Sequence, residues 1–370
     1  MGHTRGHLCI QAGISTVNVA SRPVRVVVAT AVFSADGVAA MAEALPGCAS
    51  VDWLPIPYEN GQSPTELPDA WRASLAEAHI LLGFAEQFSD LSALSPRLCW
   101  FYQAGAGYEK VELDSLSDRG IGFVSAAGAG ATGIAEFVAL AMLSLARRAS
   151  DYYRTQQLRQ WQRFPSAELA GRRLTVVGAG EIGSRVCRLG AAFGLDVTCV
   201  RLHPELGAPE GASRVVGPDM FASVLPISDV IVLAAPLTAE TNLLLGGPEL
   251  ASLPAAALIV NVARAGMIDH AALREALVAG RLGGAWLDVL PEEPLPPDSG
   301  LWDAPGLSIS THNAVAMGSY PVNLGRQCAR AVAVWLKGEP IPHSVLAVPP
   351  VPVDLAAVIG ASHASGSRAL

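Results

Sequence analysis

The chain has 370 residues, room for two domains at roughly 100 to 200 residues each, and with 51% hydrophobic and only 16% charged residues it is not a disordered or charge-driven chain. Its 33 acidic against 25 basic residues leave a formal charge of -8, which gives no general attraction to a polyanion, so no nucleic-acid partner is expected. Cys9, Cys48, Cys99, Cys187, Cys199 and Cys328 show no C-x-x-C spacing, which argues against a zinc ribbon or a disulfide framework and fits a reducing, cytoplasmic setting.

Residues 1–23 mix His, Arg, Gln, Ser and Asn without a continuous apolar run and predict a loose extension rather than a secretory signal. Short β-rich runs then alternate with longer segments: a strand at Val24–Ala29, a helix near Ala35–Leu45, and strands at Ile80–Gly83 and Leu98–Gln103. That alternation predicts a parallel sheet covered by helices. From Thr132 to Arg148 the apolar period becomes 3.6 residues, with Ile134, Phe137, Val138, Ala141, Met142 and Leu145 on one stripe, as in a long connecting helix. Its most apolar part, Phe137–Ala146, is about half the ~20 residues a bilayer span needs, so no membrane partner is expected. A second series of compact apolar runs follows at Leu174–Val177, Val197–Val200, Val230–Leu233, Leu258–Val262 and Ala285–Leu287, predicting a second parallel sheet. A last helix over 319–336 stops at Lys337-Gly338, and the tail of 347–370, rich in Ala, Ser and Gly towards its end, is expected to be flexible.

The strand Leu174–Val177 runs straight into Gly178-Ala-Gly180-Glu181-Ile182-Gly183 and then a helix, the context in which G-x-G-x-x-G binds a dinucleotide. Gly178 permits the tight turn, Gly180 lets the backbone approach a pyrophosphate, and Gly183 lets helix and strand pack closely, with the N–H groups of the first helical turn free for the anion. The next strand ends at Arg201, followed two residues later by His203, where a carboxylate would otherwise meet the adenosine ribose. A guanidinium there favours a 2′-phosphate, so NADP(H) is the expected cofactor, with NAD(H) as the alternative.

Three polar residues follow strands of the second series: Arg264, Glu293 and His312. Parallel sheets bind ligands at the carboxyl ends of their strands, so these three are candidates for one site. With the glycine turn, their order resembles the D-isomer-specific 2-hydroxyacid dehydrogenase family over about residues 24 to 346, supported by Gln103-Ala-Gly-Ala-Gly-Tyr108, Ala135-Glu136-Phe137 and Ala235-Pro-Leu-Thr-Ala-Glu-Thr241. Gly300-Leu-Trp302 is similar to a segment of the NADPH-dependent glyoxylate and hydroxypyruvate reductase branch.

The chemistry accounts for the residue types. Reduction of a 2-oxoacid needs a hydride at the carbonyl carbon and a proton at its oxygen, and an imidazolium, here His312, is suited to give that proton. The resemblance implies that Glu293 orients the imidazole and favours its charged form, and Arg264 would hold the substrate carboxylate by charge-assisted bonds. It further implies that Gly105, Ala106 and Gly107 offer N–H groups to that carboxylate, that Asp288 meets the nicotinamide amide, and that Pro236 with Leu237 lines the cofactor site. Thr311, Ala265 and Gly130 depart from the family pattern, which usually has Pro, Gly and Asn there, and none removes a catalytic group. Trp286 is bulky for its position, and with Trp302 it is a candidate for shaping the substrate pocket.

The expectation is therefore an α/β chain of two Rossmann-like or flavodoxin-like parallel-sheet domains with a cleft between them. The substrate domain is discontinuous, 24–128 plus 318–346, and the NAD(P)-binding domain is 129–317. The expected activity is hydride transfer between NADP(H) and a small 2-oxoacid or D-2-hydroxyacid, without a metal. A phosphite- or formate-type dehydrogenase of the same fold and a nicotinamide-sensing corepressor-like protein are the alternatives. A homodimer is expected from the resemblance and from the apolar helix over 132–148.

Overall fold

The structure, a computed structural model, describes residues 24–30, 33–56, 67–85, 88, 91–353, 355, 356 and 359. The expected N-terminal extension of 1–23 and the end of the tail, 360–370, lie outside the described residues. The chain divides into two compact units, one made of 1–129 with 318–370 and the other of 130–317.

The sheet of the first unit contains β1 (Val24–Ala29), β2 (Ala49–Leu54), β3 (Ile80–Gly83), β4 (Trp100–Gln103) and β5 (Gly122–Ser125), all parallel, with β13 (Ser344–Leu346) added antiparallel to β5. Its order, β13-β5-β4-β3-β1-β2, is the flavodoxin-like 2-1-3-4-5 arrangement with one extra edge strand. That edge strand modifies the expectation of an all-parallel sheet. β2 escaped the sequence reading because Asp52 interrupts its apolar run. Asp52 is nonetheless buried, with Arg25 Nη2 at 3.0 Å and Ser74 Oγ at 2.9 Å both donating to its Oδ2, and these bonds offset part of the cost of burying its charge.

The last helix, Tyr320–Leu336, ends before Gly338, whose φ of +72° suits a residue without a side chain. Residues 347–349, expected to be part of a flexible tail, are instead held: Trp335 Nε1 donates to the carbonyl of Pro349 at 2.8 Å, and Val348 packs so closely over Gly122 that a Cβ there would lie 2.6 Å from its Cα.

The second unit has seven strands, β6 (Arg173–Val177), β7 (Asp196–Val200), β8 (Arg214–Val216), β9 (Val230–Leu233), β10 (Leu258–Asn261), β11 (Gly284–Leu287) and β12 (Leu307–Ile309). All are parallel, in the order β12-β11-β10-β9-β6-β7-β8. This is the doubly wound 3-2-1-4-5-6 order plus a seventh strand, and the sense of winding reverses between β6 and β9. Both faces are covered, which is why the strands read as unbroken apolar runs. Along β9, Val230 and Val232 enter one apolar core with Leu174, Val176 and Val260, while Ile231 and Leu233 enter the other with Val177, Ile259 and Leu287.

The helix Ala131–Arg147 packs on the first of these cores through Ala135, Val138, Ala141, Met142 and Ala146, so the buried stripe is rotated from the one expected towards the alanines: Ile134, Phe137 and Leu145 are only partly buried. Arg148, in left-handed conformation at φ 58°, separates it from the next helix, Ala149–Gln157.

Candidate active site

The functional candidates of the second unit gather at one edge. Gly178 follows β6, Arg201 follows β7, Pro236 follows β9, Arg264 follows β10, Asp288 and Glu293 follow β11 and His312 follows β12, so all stand beyond the carboxyl ends of one parallel sheet.

At the switch between β6 and β9, Gly178 adopts φ +102° with its Cβ position 2.6 Å from the carbonyl oxygen of Ala234, a conformation and a space closed to other residues. A Cβ at Gly183 would overlap the Gly178 carbonyl oxygen, so the helix Glu181–Ala192 sits directly on the turn. At Gly180 a Cβ would meet nothing within 4 Å. An open position at the start of a 12-residue helix, beside a turn closed by two glycines, is the cradle a pyrophosphate requires. Ile182 is half-buried, and the exposed Glu181 is paired with Arg185 Nη1 at 2.6 Å, which offsets a negative charge next to an anion site.

Arg201 hydrogen-bonds through its backbone N–H to Val216 O at 3.0 Å, and its Nη1 donates to Gly207 O at 2.9 Å. His203 Nδ1 lies 3.1 Å from Glu205 Oε1, so an acid stands beside the histidine that follows β7. Pro236 is exposed, and its carbonyl accepts from Thr241 Oγ1 at 2.7 Å, closing the turn that follows β9.

His312 and Glu293 meet. Nδ1 of His312 is 2.8 Å from Oε2 of Glu293, and the other carboxylate oxygen, Oε1, accepts from the Leu290 N–H at 3.0 Å. An ionised carboxylate only accepts, so opposite one Nδ1 is the donor, and Nε2 is not engaged by Glu293. The two side chains are 51% and 39% exposed, open enough for a reactant to reach the ring. Arg264 is half-buried. Its Nη1 donates to Ala263 O at 2.7 Å, and the buried Asn261 fixes its turn by donating from Nδ2 to Arg264 O at 2.9 Å and accepting the Ala263 N–H at 3.0 Å.

Asp288, matched by resemblance to a nicotinamide contact, has another task on view. It is 2% exposed, and its carboxylate accepts from Ser310 Oγ at 2.8 Å, from the Asn313 N–H at 2.8 Å and from the Ala314 N–H at 3.1 Å. It therefore organises the loop that carries His312. Trp302 donates from Nε1 to Pro296 O at 2.9 Å and fastens its own loop.

In the first unit, Gly105-Ala-Gly107 follows β4. The carbonyl of Ala104 accepts from Tyr320 Oη at 2.6 Å, that of Gly105 from the Ala126 N–H at 3.2 Å, and that of Gly107 from Gln103 Nε2 at 3.3 Å. Gln103 is buried and also accepts the Ala85 N–H at 2.9 Å, and burial pushes the Tyr320 hydroxyl up to about 12, which keeps it a donor. Sequence reasoning quoted Gln103 only as a strand end and the start of the segment Gln103–Tyr108, and it gave Tyr320 no part in the site. Among the described residues no cluster of His, Cys, Asp and Glu is suited to a metal, and no helix is long and apolar enough to cross a membrane.

Residues 139–314 match the D-isomer specific 2-hydroxyacid dehydrogenase, NAD binding domain, model, a span that contains the glycine turn, Arg264, Glu293 and His312. The chain is 32% identical over 241 residues to D-3-phosphoglycerate dehydrogenase of Bacillus subtilis, covering 65% of this chain and 45% of that protein. It is 28% identical over 271 residues to glyoxylate reductase of Aeropyrum pernix, covering 69% of this chain and 78% of that one. The chain thus spans about half the length of the phosphoglycerate dehydrogenases it matches. A D-isomer specific 2-hydroxyacid dehydrogenase from Xanthobacter autotrophicus, solved with NADPH and MES, superposes with a TM-score of 0.72 at 28% identity, over 87% of this chain and 97% of that one. With a doubly wound sheet, a glycine turn at its switch point and a paired His and Glu at the same edge, residues 139–314 are identified as similar to the NAD binding domain of the D-isomer specific 2-hydroxyacid dehydrogenases.

Proposed function

We propose that the chain transfers a hydride between NADP(H) and a small 2-oxoacid or D-2-hydroxyacid, with His312 as the general acid and base. The carrying observation is the 2.8 Å pair of His312 Nδ1 and Glu293 Oε2 at the sheet edge that also presents the glycine turn. The nicotinamide, when bound, supplies or accepts the hydride. In the reducing direction His312 gives its Nε2 proton to the carbonyl oxygen, and Glu293 steadies the ring while its charge changes. Arg264 holds the substrate carboxylate by charge-assisted bonds. Relatives named for D-3-phosphoglycerate and for glyoxylate support a small 2-hydroxyacid or 2-oxoacid as the substrate class.

The preference for NADP(H) rests on Arg201 directly after β7 and is supported by NADPH in the Xanthobacter relative; Glu205, beside His203, is the group that would favour NAD(H). The test is a screen of small 2-oxoacids with NADPH and with NADH at low ionic strength, followed by nicotinamide absorbance. A charge-assisted phosphate contact of about 1.5 to 3 kcal/mol predicts at least tenfold in favour of NADPH, reversed in Arg201→Asp. Wild-type preference for NADH would remove Arg201 from the cofactor site, and absence of turnover with every 2-oxoacid would overturn the activity.

A homodimer is part of this reading. Leu140 and Leu143 on the helix Ala131–Arg147 and Tyr153, Leu158 and Trp161 in the segment after it are exposed, Leu140 by 52% and Trp161 by 97%, and these are the apolar side chains that a second copy would cover. Light scattering at micromolar concentration decides it.

A further inference from the structure

We infer that Trp286 is a positioning residue for His312, acting through Ser310 and the carboxylate of Asp288. The inference rests on the reading of His312 as the proton donor and adds to it a residue that does not touch the imidazole. Trp286 lies in β11, and its ring packs edge-on against Phe137 of the helix Ala131–Arg147, with ring centres 5.9 Å apart and planes at 86°. The indole is thereby held, and its Nε1 donates to Ser310 Oγ at 2.7 Å. An indole N–H can only donate, so Ser310 accepts there and turns its single proton to Asp288 Oδ1 at 2.8 Å. The direction of the chain from Trp286 to Ser310 to Asp288 is fixed by chemistry.

At its far end the chain meets the His312 loop from both sides. Ser310 precedes His312 by two residues, and Asn313 and Ala314 follow it, and all three bond to the same carboxylate. The N–H of His312 itself donates to the backbone carbonyl of Asp288 at 2.8 Å. His312 is held at φ +56°, a left-handed conformation that a residue with a Cβ adopts only when its surroundings impose it. The imposing groups are the ones that Trp286 anchors. Without the indole donor the Ser310 hydroxyl is free to rotate away from Asp288, the loop relaxes, and the ring loses its alignment on Glu293. Trp286, one of two candidates for shaping the substrate pocket, is thereby assigned to the support of the acid.

The test compares wild type, Trp286→Phe, Ser310→Ala, the double variant and His312→Ala as full chains. A phenyl ring at 286 keeps an apolar face against Phe137 and lacks the donor. Two readouts are taken: kcat and KM for a turned-over 2-oxoacid, and the ring 15N signals of labelled histidines, with His312 assigned by its loss in His312→Ala. Trp286→Phe is expected to lower kcat about five- to tenfold with KM changed less than about twofold, the cost of a misaligned reacting group. The His312 signals should shift or broaden while those of the other histidines stay. The double variant should be no worse than Ser310→Ala, since both interrupt one chain.

Unchanged kcat with unmoved His312 signals, additive losses in the double variant, or a general change of all histidine signals would overturn the inference. Should Trp286→Phe fail to fold, Ser310→Ala, which removes a single oxygen, carries the same two readouts. Wild-type turnover in His312→Ala would sink the proton-donor reading by itself, while the ring signals still decide whether Trp286 holds the loop.

Discussion

Removing the charge of Glu293 and removing the imidazole of His312 should have very different effects on turnover, and the structure sets the ratio. Glu293→Gln keeps the side-chain shape and a possible acceptor oxygen 2.8 Å from Nδ1 but replaces a charge-assisted hydrogen bond by a neutral one. Such a bond to a charged group contributes about 1.5 to 3 kcal/mol. With His312 51% and Glu293 39% exposed, water screens the pair and the lower end of that range applies. Because the charge on the ring changes during proton transfer, the loss falls on the transition state, and about 1.4 kcal/mol corresponds to a tenfold fall in kcat. His312→Ala removes the donor itself and should cost about 10² to 10⁴.

The assay is steady-state nicotinamide absorbance with the best 2-oxoacid of the screen, together with direct titration of the cofactor. Neither variant should weaken cofactor binding more than about twofold, since neither residue belongs to the glycine turn. If His312→Ala kept wild-type turnover, or if Glu293→Gln lost cofactor affinity as steeply as turnover, the assignment of the proton donor and its partner would be wrong.

The last two glycines of the turn should separate fold from binding: Gly183→Ala, whose Cβ has no room, should lower the melting temperature sharply, whereas Gly180→Ala, in open space, should leave it within a few degrees and weaken dinucleotide binding at least about tenfold. A Gly180→Ala protein with unaltered cofactor affinity would show that the pyrophosphate does not approach there. Burial holds the His270 imidazole below its ordinary value, so the unfolded chain takes up a proton near pH 6.5 before the folded one does, and stability should fall as pH drops from about 7 towards 5. In His270→Gln the melting temperature should change less over that interval, and an identical profile would remove His270 as the cause. Asp229, held below its ordinary value by Arg173, which donates to it from Nε, Nη2 and its backbone N–H, should add a second loss of stability only below about pH 4. Trp161→Ser should shift the dimer expected from light scattering towards monomer without lowering the melting temperature of the monomer, because a side chain 97% exposed adds nothing to the core of its own chain.

Local signals carried far in this chain. The runs Val230–Leu233 and Leu258–Asn261 are apolar at every position but one, and such runs fit strands buried on both faces; the glycine spacing from 178 to 183 marked a turn followed by a helix, which begins at Glu181, inside the motif rather than after it. Arg264, Glu293 and His312 could be picked out because chemistry restricts which side chains can hold a carboxylate or move a proton, and because ligands of parallel sheets lie beyond the strand ends.

What stayed hidden depends on residues far apart in sequence. Asp52 disguised β2 because its partners, Arg25 and Ser74, are 27 and 22 positions away. The loop at Gly105 is held by Tyr320, 216 residues from Ala104, and β13 returns from the end of the chain to run antiparallel to β5. Asp288 could be matched to a family position, yet only the folded chain turns its carboxylate onto Ser310, Asn313 and Ala314 and leaves Trp286 behind it. Periodicity and composition report which face a residue buries, since that is decided within a few positions. The partner that a buried polar group finds is decided by the crossing of distant segments, and it is there that the left-handed His312 acquires its support.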